Sequence, residues 1–199
     1  MPTIRKAFMC VIALVFSAIS PARAEENLFA RPPGGQNVVG IKLGFVNGTT
    51  FTVKDRAGVA PDSAFHSQAG VMGGIFFDMS LSRSRHLSIN MDIIDIIVNS
   101  DREKLLDLSL TLKQRITTAN SPFILRPAIG AGLGYMADMN FLRASSFLTL
   151  KGYCEMLIST EKPHSYLFEL GLVGSPSGGN RKNDVHFTPI VYLRAGIVY

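Results

Sequence analysis

Within residues 38–199 apolar and polar residues alternate with a period of two over eight segments, and no helical period competes with them there. The last segment is the plainest case. Phe187, Pro189, Val191, Leu193, Ala195, Ile197 and Tyr199 share one parity, while Thr188, Ile190, Tyr192, Arg194, Gly196 and Val198 share the other. A β-strand sends alternate side chains to opposite faces, so the segment reads as a strand with one wholly apolar face. The opposite face carries an arginine, a glycine and a tyrosine. The apolar parity still runs at Tyr199, as a strand closing a membrane barrel requires. A strand of a secreted β-sandwich is the competing reading of this stretch alone.

The same pattern divides the chain into eight segments, 38–48, 68–82, 86–98, 104–116, 122–135, 144–159, 164–174 and 187–199. Turn residues close each one. Residues 47–67 read as a long polar connection and 175–185 as a second long loop, whereas the turns after the second, fourth and sixth segments are short. The alternation fails at Asp95, which predicts a strand end or a bulge there. Eight strands at hairpin spacing imply an all-β, antiparallel up-and-down barrel. Short turns at one end and longer loops at the other are the asymmetry of transmembrane barrels.

The N-terminus bounds the compartment. Arg5 and Lys6 precede an apolar run from Ala7 to Ile19, Pro21 breaks it, and Ala22-Arg23-Ala24 has the small-x-small form of a signal-peptidase site. Residues 1–24 therefore read as a secretory signal cleaved before Glu25, residues 25–37 as an irregular leader, and 38–199 as the barrel. The apolar run is short for a spanning helix. Removing the signal from the 199 residues leaves 175, enough for one domain, and reduces the basic count from 20 to 17 against 15 acidic residues. That near-neutral balance points to no nucleic-acid partner. Only Cys154 remains after cleavage, so no internal disulfide forms.

Periodicity gives each strand two faces without saying which one points inward. A lipocalin-like barrel turns the apolar face in; a membrane barrel turns it out. The polar face holds Lys42, Lys113, Arg115, Arg126, Lys151 and Arg194 against Asp78, Asp92, Asp107, Glu155 and Glu169. Six cations and five anions nearly cancel, which suits a narrow lumen filled by ion pairs. Glycines crowd the same face, and small residues beside long ones pack an eight-stranded interior. Asp92 with Lys113 or Arg115, and Glu155 with Lys151, read as structural pairs. On the apolar parity Phe123, Tyr166 and Tyr199 lie at the short-turn end and Phe45, Tyr135 and Phe187 near the long loops, as two interfacial girdles would. The chain has no Trp and so lacks the Gly-x-Trp of lipocalins.

Arg194-x-Gly196-x-x-Tyr199 resembles the polar-x-Gly-x-x-aromatic signal by which outer-membrane barrels are recognised for assembly, although the fuller pattern runs two residues further. With the signal peptide, strand number and loop asymmetry, residues 38–199 resemble the small eight-stranded outer-membrane barrels of the OmpA/OmpX-like group. The resemblance implies an outer-membrane location, contact with outer-membrane lipid, engagement of the barrel-assembly machinery through the last strand, and surface contacts through 47–67 and 175–185.

Some small barrels act enzymatically on lipid A. Such a deacylase needs a serine activated by a histidine that a carboxylate orients. His86 and His164 fall by short turns; His66 and His186 fall near Ser63, Ser67, Asp62 and Asp184, but none has the His-x-Ser-Asn context of barrel deacylases. Cys154 lies on the apolar parity, and no spacing resembles a metal site. Gly130-x-Gly132-x-Gly134 lies within a strand and is no nucleotide loop. The reading is therefore a non-enzymatic, cofactor-free barrel with a plugged lumen. A small pore, a lipid A enzyme and a soluble lipocalin-like barrel are its rivals.

Overall fold

The computed structural model describes residues 37–116, 123–137, 144–159 and 164–199. The signal and leader assigned to residues 1–36 lie outside that range. The strands are β1 (Val38–Val46), β2 (Thr50–Asp55), β3 (Ser63–Ser80), β4 (Arg85–Val98), β5 (Asp101–Gln114), β6 (Phe123–Met136), β7 (Ser145–Ile158), β8 (Ser165–Gly179) and β9 (Asn183–Val198). Every pairing is antiparallel, and each strand from β3 onward pairs with the next.

Nine strands make eight staves. Both β1 and β2 lie between β3 and β9, so they are one stave interrupted at Asn47, Gly48 and Thr49. Side chains and backbone bridge the interruption. The Asn47 N–H donates to Val191 O at 3.0 Å, and the Thr49 hydroxyl donates to Thr188 O at 2.5 Å. β9 closes the ring against β1 from Gly40↔Val198 to Val46↔Tyr192, extended by mutual backbone bonds between Val39 and Tyr199. Among the described residues no strand edge is left to face lipid, as a spanning sheet requires.

The two long loops of the sequence reading are largely strand. Residues 47–67 contain β2 and the first five residues of β3, and 175–185 form the end of the β8–β9 hairpin. Among the described connections the length asymmetry disappears with them, since the β4–β5 and β8–β9 turns are no longer than the β3–β4 turn at the other end. β4 passes to β5 through Asn99 and Ser100 alone, at φ 51° and 73°. Two consecutive positive φ values match the twist of a two-residue hairpin. Polar side chains had concealed these extensions, because they alternate in a sheet that faces water.

Three bulges lie at one height with the β1–β2 interruption. Ala69 and Gly70 form an extra step on β3 opposite β4, Ser175 and Pro176 on β8 opposite β7, and Thr188 and Pro189 on β9 opposite β8. The irregularity expected at Asp95 is thus on the facing strand, while β4 runs unbroken to Val98. Proline at a bulge leaves no ladder donor missing. Gly70 tolerates no side chain, since a Cβ there would collide with the Asp95 carbonyl oxygen.

One added residue exchanges the faces of everything beyond it. Phe187, expected in the outer girdle, is consequently turned inward and is 3 % exposed. It packs against Phe51 and Phe147 at ring separations of 5.5 and 5.7 Å. Phe187→Ala is expected to cost about 3–5 kcal/mol in urea unfolding from lipid vesicles, whereas Phe45→Ala, at a side chain 73 % exposed, costs much less. The reverse order would place Phe187 on the lipid side.

Candidate functional site

The interior is built in three levels. At the end where Val38 and Val198 meet, an apolar cluster joins Phe76, Ile124, Leu157, Leu167 and Val198. At the other end a larger one gathers Phe51, Ile94, Ile96, Phe147, Phe187 and Tyr192 among others. Charged side chains fill the middle.

The charges form an alternating chain. Asp107 accepts from Lys151 Nζ at 2.6 Å, and Lys151 reaches Asp92 at 2.6 Å. Asp92 accepts from Arg194 at 2.5 Å, Arg194 also grips Glu169, and Glu169 holds Lys42 at 2.6 Å. Lys42 lies 4.0 Å from Glu155, which binds Lys113 at 3.1 Å and Arg126; both of these cations also hold Asp78, at 2.9 and 3.2 Å. Five cations and five carboxylates are brought together in this way. Arg115 lies just beyond β5 and half-buried, outside these ten. The pairings expected for Asp92 and Glu155 are replaced: Asp92 meets Lys151 and Arg194, and Glu155 meets Lys113 and Arg126. Strand tilt in a closed barrel brings together residues offset along the chain, which parity alone does not reveal.

Neutral groups complete the network. The Asn90 side chain accepts from Lys42 at 3.3 Å and donates to Thr111 at 3.1 Å, and Thr111 shares a 2.8 Å hydrogen bond with Tyr153. The Thr149 hydroxyl donates to Asp107 at 2.5 Å, and Ser109 accepts from Lys151 at 2.9 Å. The ammonium groups of Lys42 and Lys113 sit 4.4 and 4.6 Å from the Phe76 ring centre, so the aromatic faces both charges. These members share the parity of the charged residues, a signal available in the sequence. Gly74 makes the close approach possible, because a Cβ there would strike the Asp92 carboxylate.

Outside, the alternate residues are aliphatic and exposed: Ile41, Leu43, Ile75, Leu108, Leu110 and Leu193 are 49 to 69 % accessible. This belt ends sharply. On β4 and β5 the outward pair Ile93↔Leu106 is followed by Asp95↔Lys104 and then Ile97↔Arg102. At that height the inward residues become Ile94, Ile96 and Leu105, all fully buried, with Glu103 opposite Ile96 as the one charged exception among the described residues of β4 and β5 there. Polarity has inverted: the lower barrel is charged inside and apolar outside, the upper extension apolar inside and polar outside. The change marks where the wall leaves lipid for water.

No protein-family model matches the sequence. No curated protein matches it either. Solved structures do. Neisserial surface protein A is 12 % identical, with a TM-score of 0.50 over 81 % of this chain and 95 % of that one. The outer membrane protein OprG of Pseudomonas aeruginosa is 14 % identical, with a TM-score of 0.51 over 83 % and 96 %. The chain has the fold of the small eight-stranded outer-membrane barrels. At such identity the likeness is one of fold.

In that frame Phe123, Tyr166 and Tyr199 are exposed at one edge of the outer-membrane barrel's belt, and Phe45 and Tyr135 at the other. Arg194, assigned to the assembly signal, points into the lumen, and Tyr199 lies outside with His164 6.5 Å from its ring. His66 bonds the Thr50 hydroxyl at 2.9 Å and is exposed, whereas the adjacent Ser67 turns inward to Thr49. Successive strand residues face opposite ways, so these two make no nucleophile–base pair. Among the described residues no His, Cys, Asp and Glu grouping is arranged to hold a metal ion. Cys154 is exposed on the lipid parity.

The upper hairpins are tied together. Arg56 on the β2–β3 turn pairs with Asp184 on β9 at 2.6 Å, and its N–H donates to Lys182 O at 3.0 Å. Backbone N–H groups of Ala60, Ala57 and Val59 brace the Asp55 carboxylate and hold it below its usual pKa.

Proposed function

We propose that the chain is a non-enzymatic outer-membrane barrel with a plugged lumen, acting in envelope structure or surface interaction through its outer hairpins. The observation that carries this reading is the interior itself. Ten charges cancel in alternating contacts, with an apolar cluster at each end. A diffusing ion would have to break charge-assisted contacts in a low-dielectric space and then cross apolar packing, both of which are costly. Water-filled channels are normally built from many more strands.

Reconstitution in planar bilayers tests this. No steady single-channel current is expected at the incorporation levels that a control porin needs for conduction. A steady current attributable to the folded protein would establish the pore reading instead. The surface role falls on the β2–β3 and β8–β9 hairpins, whose tied tips carry Lys54 on β2, Asp184 on β9 and Arg56 and Lys182 in the turns, and Val59 stands 87 % exposed. Export under this reading removes residues 1–24, with the assembly machinery reading Arg194, Gly196 and Tyr199 on the last strand. The intact mass of envelope-extracted protein is expected to begin at Glu25; a retained N-terminus would refute the cleavage site.

A further inference from the structure

The end of the lumen at Val38 and Val198 is apolar on one side only. Its apolar cluster comes from Ile124, Leu157, Leu167 and Val198, on β6 to β9, with Phe76 joining from β3. On β3, β4 and β5 the inward parity ends instead in Ser80, His86 and Arg115, all partly buried.

The register sets these side chains beside others of the same sign. Ser80 faces His86 across one ladder, and His86 faces Lys113 across the next. β5 meets β6 at Lys113↔Ala128 and again at Ile116↔Leu125, so Arg115 stands opposite Arg126. Directly opposed residues on one face have Cβ atoms about 5 Å apart, and like charges there repel. The charges of Arg126, Lys113 and Arg115 all reach His86, with Asp78 as the opposing anion, and that of Arg126 reaches Arg115.

The carboxylates at this level are already engaged. Among the described residues they are Asp78 and Glu155, each held by both Lys113 and Arg126. The five cations and five carboxylates of the lumen chain cancel, so Arg115 is a surplus cation and His86 a further donor beside it. Arg126 also has a donor to spare. Its terminal nitrogens face Asp78 and Glu155, while its buried Nε–H has no acceptor among the described residues. A buried donor left unmatched is costly, and an anion's oxygen satisfies it.

We propose that this mouth of the lumen binds a phosphate group, free or as a small monoester, between Arg115 and Arg126 with His86 at its edge. Two guanidinium groups and an imidazole offer planar, directional donors, the set that matches phosphate oxygens. The mouth lies at the end opposite the water-facing extension, so its ligand comes from the periplasm. The site is below the ion-pair chain and does not depend on whether the lumen conducts.

Isothermal titration calorimetry of the refolded mature chain in detergent tests the site, with inorganic phosphate and glycerol 3-phosphate as probes at constant ionic strength. The wild type is expected to bind one equivalent of phosphate group, and the tighter probe identifies the source. Arg115→Gln with His86→Gln is expected to weaken binding by about tenfold or more, since charge-assisted contacts are lost. Both residues are partly exposed and neither belongs to the ten paired charges, so the lumen chain stays intact. Arg83→Gln with Arg85→Gln removes at least as much positive charge from the exposed β3–β4 turn and its edge at the same end, and is expected to leave binding unchanged. Heat-modifiable gel mobility verifies that each variant is folded. Equal binding by the wild type and the Arg115/His86 variant would overturn the proposal. So would an equal loss in the Arg83/Arg85 variant, no saturable binding of either probe, or equally tight binding of acetate.

Discussion

Lys151→Met is expected to destabilise the barrel by about 3–5 kcal/mol, the range for breaking a buried ion pair by removing one partner. Lys151 is fully buried and its ammonium contacts Asp92, Asp107 and Ser109 at 2.6, 2.6 and 2.9 Å. Methionine nearly fills the same volume, so little cavity forms and the effect isolates the charge. Asp92 keeps Arg194, but Asp107 is left with the Thr149 hydroxyl. The measurement is equilibrium urea unfolding from lipid vesicles. Lys151→Met with Asp107→Asn removes one charge of each sign, restores neutrality, and should recover a substantial part of the loss. An unaffected single variant would mean that water solvates the lumen charges, contrary to a packed interior.

Deleting residues 197–199 is expected to prevent stable insertion. Three losses coincide. The β1–β9 pairs Gly40↔Val198 and Ile41↔Ile197 go, the mutual Val39–Tyr199 bonds go, and Val198 leaves the lower apolar cluster. The exposed N–H and C=O groups of β1 would then face lipid, where each unsatisfied group costs several kcal/mol. Loss of the heat-modifiable band from the membrane fraction is the expected readout. Tyr199→Ala separates closure from recognition, because it keeps the backbone pairs and removes only the exposed ring. Normal membrane levels of the truncated chain would show that the last strand is not needed to close the barrel.

Strand identity and facing were legible in the sequence wherever the ladder is regular. On β5, Asp107, Ser109, Thr111 and Lys113 are inward and Leu106, Leu108, Leu110 and Leu112 outward, as alternation alone requires. Legibility ended at the bulges. A single extra residue at Thr188–Pro189 reversed Phe187, and Pro189, a residue that sheets confine to bulges and edges, was its local signal, which alternation alone does not use. The upper extension was hidden for a different reason. Phe51 and Val53 alternate with Thr50, Thr52 and Lys54, but six residues flanked by polar segments read as loop until β3 and β9 are seen beside them. Asp95 carried more information than a break in pattern: it is outward because the wall has left the lipid there. The ion-pair partners were the least accessible, since they depend on strand tilt and not on parity.

The most direct test of a charged interior within an aliphatic wall is a spin-label scan along β5. Labels would be placed singly at 105–113 in a Cys154→Ser background and the protein reconstituted in lipid vesicles. Positions 106, 108, 110 and 112 are expected to be accessible to oxygen in the bilayer, and 105, 107, 109, 111 and 113 to be shielded from both oxygen and a water-soluble nickel reagent. Nickel accessibility at 106, 108, 110 and 112 would contradict a lipid-facing wall, and nickel accessibility at 107, 109 and 111 would contradict a packed lumen.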